Sequence, residues 1–282
     1  MEKIKITADS ICDLPAEILA EHDFAILPMY IHLADQEERD YPGVDEKIYE
    51  FFRQTKKTPK TSALSVPDYI EFFKANLPEG GSLIHFVISS EISSTYNNAV
   101  TAAKEFQNVY VIDSRSLSTG TAISMLRAAK YRSEGLSAAE IVNRIKAEIN
   151  QVQCSFIVNN LTYLHCGGRC SGTAKLFATV LHIKPQIVLQ DGKMQPGKKF
   201  IGNFGMCVKK YVDYTFSTNP NPDLSVCFIT HTKMTDPKIV EIVKAQVAAR
   251  FPFERIIETN AGGTITSHCG ENTIGILYGL KS

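Results

Sequence analysis

The sequence predicts an α/β protein of two domains: a mainly parallel-sheet α/β domain over residues 1–155 and a smaller α+β domain over residues 156–282. Three observations predict it. Apolar runs such as Leu83-Ile84-His85-Phe86-Val87-Ile88 and Val109-Tyr110-Val111-Ile112 are each followed by a helix-period segment, over 94–106 and 119–134. Continuous apolar runs of this length suit strands buried on both faces, and strand–helix alternation builds a mainly parallel sheet. After Cys154 the pattern changes to a hairpin, Pro185-Gln186-Ile187-Val188-Leu189-Gln190 then Asp191-Gly192, followed by helices near 204–216 and 236–250. A chain of 282 residues is also long enough for two cores.

Taken in order, Ile4 to Ala8 alternates into a first strand. Asp13 is a candidate N-cap for a short helix to about Asp23, with Pro15 near its first turn and Glu17 close behind. Ala25 to Leu33 reads as the second strand. The helix from Asp45 to Gln54 carries Ile48, Phe51 and Phe52 on one face. Lys56-Lys57-Thr58-Pro59-Lys60-Thr61-Ser62 reads as an exposed basic loop, and a helix follows from Val66 to Leu77. Gly135 ends the helix over 119–134, and Ser137 caps the next, which runs to about Asn150. Ser155 to Asn159 is a strand, Cys166 to Gly172 a glycine-rich turn, and Ala174 to Leu181 a helix. Strands at 224–230, Ile256-Ile257-Glu258 and Gly275-Ile276-Leu277-Tyr278 complete the order. Gly262-Gly263-Thr264 and the segment around His268 read as turns.

Lys plus Arg and Asp plus Glu both number 30, so the formal net charge is zero. That argues against a strong nucleic-acid footprint and against a polybasic anchor, leaving at most a transient membrane-surface contact. No apolar run reaches transmembrane length, and the first residues enter a strand without the apolar core of a signal peptide. Glu2 stands where N-myristoylation requires glycine. The seven cysteines are odd in number and widely spaced, a reducing pattern, and the expectation is a cytoplasmic protein.

Hydroxyl residues cluster at the ends of apolar runs: Thr61-Ser62, Ser89-Ser90 through Ser93-Ser94-Thr95, and Ser114 with Ser116, Ser118 and Thr119. Each can cap a new helix, or can join its free N–H groups in holding a carboxylate or phosphate. No phosphate-binding glycine motif, zincin motif or nucleophile elbow is present. Cys166 and Cys170, with His165 adjacent and His182 beyond, lack the second compact pair of a zinc site, so no metal is expected. A Ser–His–Asp set can be composed from Ser93, His268 and Asp113 or Asp9, but nothing in the spacing brings these together.

The turns in order resemble the DegV family of bacterial fatty-acid-binding proteins. Thr7-Ala8-Asp9-Ser10-Ile11-Cys12-Asp13-Leu14-Pro15 is similar to its opening motif, Thr61-Ser62-Ala63-Leu64-Ser65-Val66-Pro67 to its T-S loop, and Ile88 through Asn97 to its I-S-S loop. Val111-Ile112-Asp113-Ser114 with Ser118 and Gly120, Tyr163-Leu164 with Gly167-Gly168-Arg169, Lys184-Pro185, and His268 with Gly270 extend the resemblance over nearly the whole chain. It implies two domains clasping a long-chain fatty acid, with no other cofactor. It implies Thr61 and Ser93 as carboxylate ligands with His268 close by, and Arg169 near the head group or a kinase interface. Ser62, Ser94 and Thr95 are further candidates from the same loops. It also implies a partner, a separate fatty-acid kinase that phosphorylates the presented carboxylate; the chain itself is then not an enzyme. Ser94 replaces a usual glycine, Glu271 lies just beyond the histidine, and Phe200 stands where the family carries an arginine. A hydrolase using Ser93 as nucleophile and His268 as base, and a lipid-responsive regulatory protein, are the alternatives.

Overall fold

The computed structural model describes residues 2–170 and 183–281. Its first sheet is parallel, in the order β2-β1-β6-β7, and uses β1 (Ile4–Asp9), β2 (Ala25–Leu27), β6 (Ser82–Val87) and β7 (Val109–Asp113). Every residue of β6 is buried, which is why that run is apolar without alternation. Helices Ala16–Glu21, Val66–Asn76 and Thr95–Ala103 lie in the connections between its strands, and helices Thr119–Ser133 and Ala138–Glu148 follow β7. Ser137 caps the last of these as the sequence predicts, with the Glu140 carboxylate returning a bond to the Ser137 N–H at 2.8 Å.

The second sheet has six strands in the order β10-β9-β8-β13-β11-β12. They are β8 (Val152–Val158), β9 (Ile183–Gln190), β10 (Lys193–Ile201), β11 (Pro222–His231), β12 (Arg255–Asn260) and β13 (Thr273–Leu280). All neighbours are antiparallel except β11 and β12. The α/β class with a parallel sheet and a separate, mostly antiparallel one therefore stands. The boundary expected between residues 155 and 156 falls inside β8, which pairs with β13 along its whole length.

Alternation along β8 explains how the sheets are joined. Cys154, Phe156 and Val158 belong to the core that fills the first half of the chain, whereas Ile157 packs with Tyr211, Val212 and Val243 beneath helices Phe204–Thr218 and Lys238–Arg250. Helix Thr119–Ser133 lies in the first core and is buried at Gly120, Ala122, Met125 and Ala128, so small residues dominate it. Its Thr119 Oγ1 meets Thr230 Oγ1 of β11 at 2.6 Å, a direct hydrogen bond between the halves.

Several local expectations are corrected. The run Ala25 to Leu33 is two strands, because Pro28 lacks the N–H a continuous ladder needs. The second piece, β3 (Tyr30–Leu33), joins β4 (Gln36–Arg39) and β5 (Lys60–Ser62) in a small antiparallel sheet, so the end of the supposed basic loop is a strand. Asp13 does not cap the helix Ala16–Glu21, whose N-cap is Pro15. The Gly262–His268 region is not a turn; it forms helix Gly263–Cys269. The helix expected from Ala174 to Leu181 lies outside the described residues, as does His182.

Candidate functional site

Strand β5, the loop after β6, the segment just beyond helix Thr162–Gly167 and helix Gly263–Cys269 converge on one cavity of about 50 Å³. Its polar lining is Thr61, Ser62, Ser93, Arg169, Thr264 and His268, and Ile88, Ile92, Leu117, Met194 and Ile265 are among its apolar walls. Thr61 reaches it because β3 pairs Ile31 with Thr61. His268 reaches it because its helix ends at Cys269 and Gly167 leaves space for the ring; a Cβ on Gly167 would sit 2.4 Å from His268 Nδ1.

Thr61 Oγ1 and His268 Nε2 are 2.8 Å apart, joining residues 207 positions distant in sequence. Burial lowers the His268 pKa to about 4, with the nearby Arg169 charge as the lesser cause, so the imidazole is neutral at neutral pH. Its Nδ1 has no hydrogen-bond partner among the described residues. Ser93 lies in the same cavity, and its Oγ is 2.5 Å from Thr95 Oγ1. The structure thus brings Thr61, Ser93, Arg169 and His268 together.

The other candidates are less directly placed. Ser62 lines the cavity, but its Oγ is 3.0 Å from His32 Nε2. Thr95 is buried behind Ser93, and Ser94 is exposed at the N-cap of Thr95–Ala103 without a side-chain capping bond. Arg169 is exposed, and its Nη1 donates to the Gly167 carbonyl at 2.7 Å rather than forking across the cavity.

The composed Ser–His–Asp set does not assemble. Ser93 bonds with Thr95 and not with His268. Asp113 accepts from Ser90 Oγ at 2.6 Å, and Asp9 is buried against His85 and Tyr69. Nucleophile, base and orienting acid therefore have separate partners. Among the described residues no three His, Cys, Asp or Glu side chains form a group able to hold a metal, and no helix is long and apolar enough to cross a membrane.

A second cavity of about 20 Å³ lies next to the first, sharing Leu117, Ile265 and Cys269 as a common wall. Phe156, Gly275 and Leu277 of the second sheet lie beyond that wall, with Thr230, Thr232 and Thr273. The two cavities thus meet at an apolar wall, with hydroxyls and the His268 imidazole on one side and Phe156, Gly275 and Leu277 among hydroxyl residues on the other. That arrangement suits an anionic head group with an apolar tail.

Two carboxylates missed as site elements fix the His268 helix. Asp13, in a left-handed turn at φ 50°, accepts the Gly262 N–H at 2.8 Å and the Ser118 hydroxyl at 2.5 Å. Asp40 accepts from the Gly263 N–H at 2.7 Å and the Thr264 N–H at 3.1 Å. Both acids come from the first half of the chain, so the cap on this helix is nonlocal. Burial raises the Asp13 pKa to about 8, against the Ser118 and Gly262 bonds and with help from Asp40. A folded pKa above the unfolded value of 3.8 gives a stability contribution that is full below about pH 4 and fades as pH rises through about 8. Asp13→Asn should therefore flatten the decline of unfolding free energy between these limits, measured by urea titrations across the range. Parallel wild-type and variant curves would rule out this proton.

Comparison with known proteins agrees with this architecture. The family model for uncharacterised proteins of the DegV family matches residues 3–281. A DegV domain-containing protein of Caldanaerobacter subterraneus subsp. tengcongensis is 28% identical over 285 residues, covering 100% of both chains. A fatty acid-binding protein of Thermotoga maritima is 25% identical over 286 residues, covering 99% of this chain and 98% of its own. Among solved structures, the fatty-acid-binding DegV family protein of Thermus thermophilus superposes with a TM-score of 0.89 at 25% identity, covering 99% of this chain and 100% of that one. On the strength of a match along almost its entire length, the chain belongs to the DegV family.

Proposed function

We propose that this protein binds a long-chain fatty acid between an N-terminal domain, residues 1–155, and a C-terminal domain, residues 156–282. The carboxylate lies at Thr61, Ser93 and His268, with Arg169 at the rim, and the acyl chain runs past Leu117, Ile265 and Cys269. The observation that carries this reading is the pair of adjoining cavities, hydroxyl- and imidazole-lined at one end and apolar where they meet. The fatty-acid-binding relatives from Thermotoga maritima and Thermus thermophilus support it.

The chemistry fits a carrier in the cytoplasm that presents its ligand to a separate fatty-acid kinase. Hydroxyls and a neutral imidazole hold a carboxylate without engaging both oxygens, as a bidentate arginine would. The oxygen remains a nucleophile for phosphoryl transfer by the partner. About fifteen buried methylenes at ~0.8 kcal/mol each give a gross ~12 kcal/mol before binding costs, so the tail supplies the affinity.

Cavities of about 50 and 20 Å³ are smaller than the ~300 Å³ or more of a ligand pocket, so uptake has to open them. Opening has to break buried contacts between the halves, among them Thr119–Thr230 and the Asp13 and Asp40 bonds to the start of helix Gly263–Cys269, as well as surface pairs. The ion pairs Glu21–Arg255, Glu46–Lys233 and Glu91–Lys193 join the two halves at the surface, where solvent weakens such pairs.

Native mass spectrometry of protein purified from a bacterial host, with organic extraction, tests the reading. A stoichiometric fatty acid is expected; an empty protein that takes up no added fatty acid would overturn it. Ser93→Ala should weaken retention of the acid by roughly tenfold, the loss of one hydrogen bond to a charged group, while the fold survives. Unfolding of that variant would make Ser93 a structural residue. With ATP and the kinase supplied, His268→Ala should reduce acyl-phosphate formation more than lipid binding, and equal losses would remove any role specific to transfer.

A further inference from the structure

Helix Gly263–Cys269 presents two stripes to the cavities. Thr264 and His268 are four residues apart, as are Ile265 and Cys269, and residues at that spacing share a helical face. The apolar pair lines both cavities, whereas Thr264 and His268 line only the one that holds Thr61 and Ser93.

Thr264 is 4% exposed, and its Oγ1 is buried without a hydrogen-bond partner among the described residues. A buried hydroxyl in that state is unfavourable and calls for an explanation. Threonines in helices commonly return the hydroxyl to a preceding carbonyl, as Thr266 does with Ala261 O at 3.3 Å. Ser267 on the same helix also has an Oγ without a partner among the described residues, but it lines neither cavity.

The backbone at Thr264 is firmly held. Asp40 Oδ2 accepts its N–H at 3.1 Å and the Ser10 hydroxyl at 2.8 Å, while Oδ1 accepts the Gly263 N–H at 2.7 Å. Gly263 is packed so closely that a Cβ there would lie 2.4 Å from Val44 Cγ1 and 2.5 Å from Ile31 Cδ1. The helix start is therefore fixed by the first half of the chain, with the Thr264 side chain on the cavity wall.

We infer that Thr264 is a head-group ligand, its hydroxyl donating to the carboxylate held at Thr61, Ser93 and His268, with Asp40 as the residue that positions it. This inference rests on the fatty-acid reading above. It adds a donor from the second half of the chain, one helical turn from His268.

The test uses the whole protein in displacement titrations with hexadecanoate and with hexadecanol, which has the same tail and no carboxylate. Thr264→Val keeps the shape and removes the hydroxyl. Its affinity for hexadecanoate should fall roughly tenfold, with hexadecanol little changed. Its Tm should be equal or higher, because no hydrogen bond is lost. Thr264→Ser should restore binding of the acid. Asp40→Asn, which keeps one acceptor oxygen, should also weaken the acid more than the alcohol. If wild type binds hexadecanoate and Thr264→Val binds it equally well, the inference fails while the fatty-acid reading stands. If Thr264→Val lowers Tm and weakens acid and alcohol alike, Thr264 is a packing residue and the inference fails. Wild-type protein that binds neither probe ends both.

Discussion

Replacing Gly270 with alanine should destabilise the protein by about 2–5 kcal/mol, the sum of backbone strain and overpacking. Gly270 closes the His268 helix at φ 68° and ψ −173°, a conformation open essentially to glycine alone. A Cβ there would also lie 2.4 Å from Tyr163 Cδ2 and 2.6 Å from Tyr163 Cε2. Tyr163 cannot easily retreat: it is 5% exposed, and its ring centroid lies 4.7 Å from that of Phe52. The Gly270 N–H donates to the Thr266 carbonyl at 2.8 Å, so any shift propagates into the helix that carries Thr264 and His268. Thermal unfolding should register a drop of roughly 5–15 °C for a chain of this size. A Tm within about 2 °C of wild type would mean that Tyr163 and the helix end adapt without cost.

How much of this was legible in the sequence depends on the range of the interactions. Strand β6 is readable because burial on both faces writes a continuous apolar run, and helices Val66–Asn76 and Ala138–Glu148 because Ser65 and Ser137 cap them from the adjacent sequence. The small sheet β4-β3-β5 was not. Gln36-Glu37-Glu38-Arg39 has no apolar alternation, and Lys60-Thr61-Ser62 carries the composition of a loop. Asp13 has every local sign of an N-cap, yet its left-handed backbone directs the carboxylate to Gly262, far along the chain. The same nonlocal capping hid the helix at Gly263: two adjacent glycines punctuate a sequence, and the acids that stabilise its start belong to the other half.

The site shows the same division. Thr61 and His268 emerge only through a resemblance spanning nearly the whole chain, since no spacing rule connects residues 207 positions apart. Ser94 and Thr95 are candidates only as neighbours of Ser93, and the turn separates them, one to solvent and one to the interior. Thr264 leaves no mark in the sequence because its signal is a buried oxygen without a partner among the described residues, a state that exists only once the fold does. A helical reading of 263–269 would have set it on the His268 face.

Enlarging Ile265 to phenylalanine should change which fatty acids bind, and by a large factor. Ile265 lines both cavities with Leu117 and Cys269, so in the proposed path the chain must pass it to reach Phe156 and Leu277. Ile265 is only partly buried, which leaves the larger ring room to be accommodated without unfolding the helix. If the ring excludes about four methylenes at ~0.8 kcal/mol each, long chains lose ~3 kcal/mol, on the order of a hundredfold in affinity. Acids that stop short of the wall should lose little. The informative quantity is the gain in affinity per added methylene from decanoate to octadecanoate: steady in wild type, flat beyond the blocked length in Ile265→Phe. A uniform loss at every length would instead put the effect at the head group, through the adjacent Thr264 and His268, and would remove Ile265 from the acyl path. The chain-length slope separates these cases because the head-group contribution is common to the whole series, whereas apolar burial grows with each carbon.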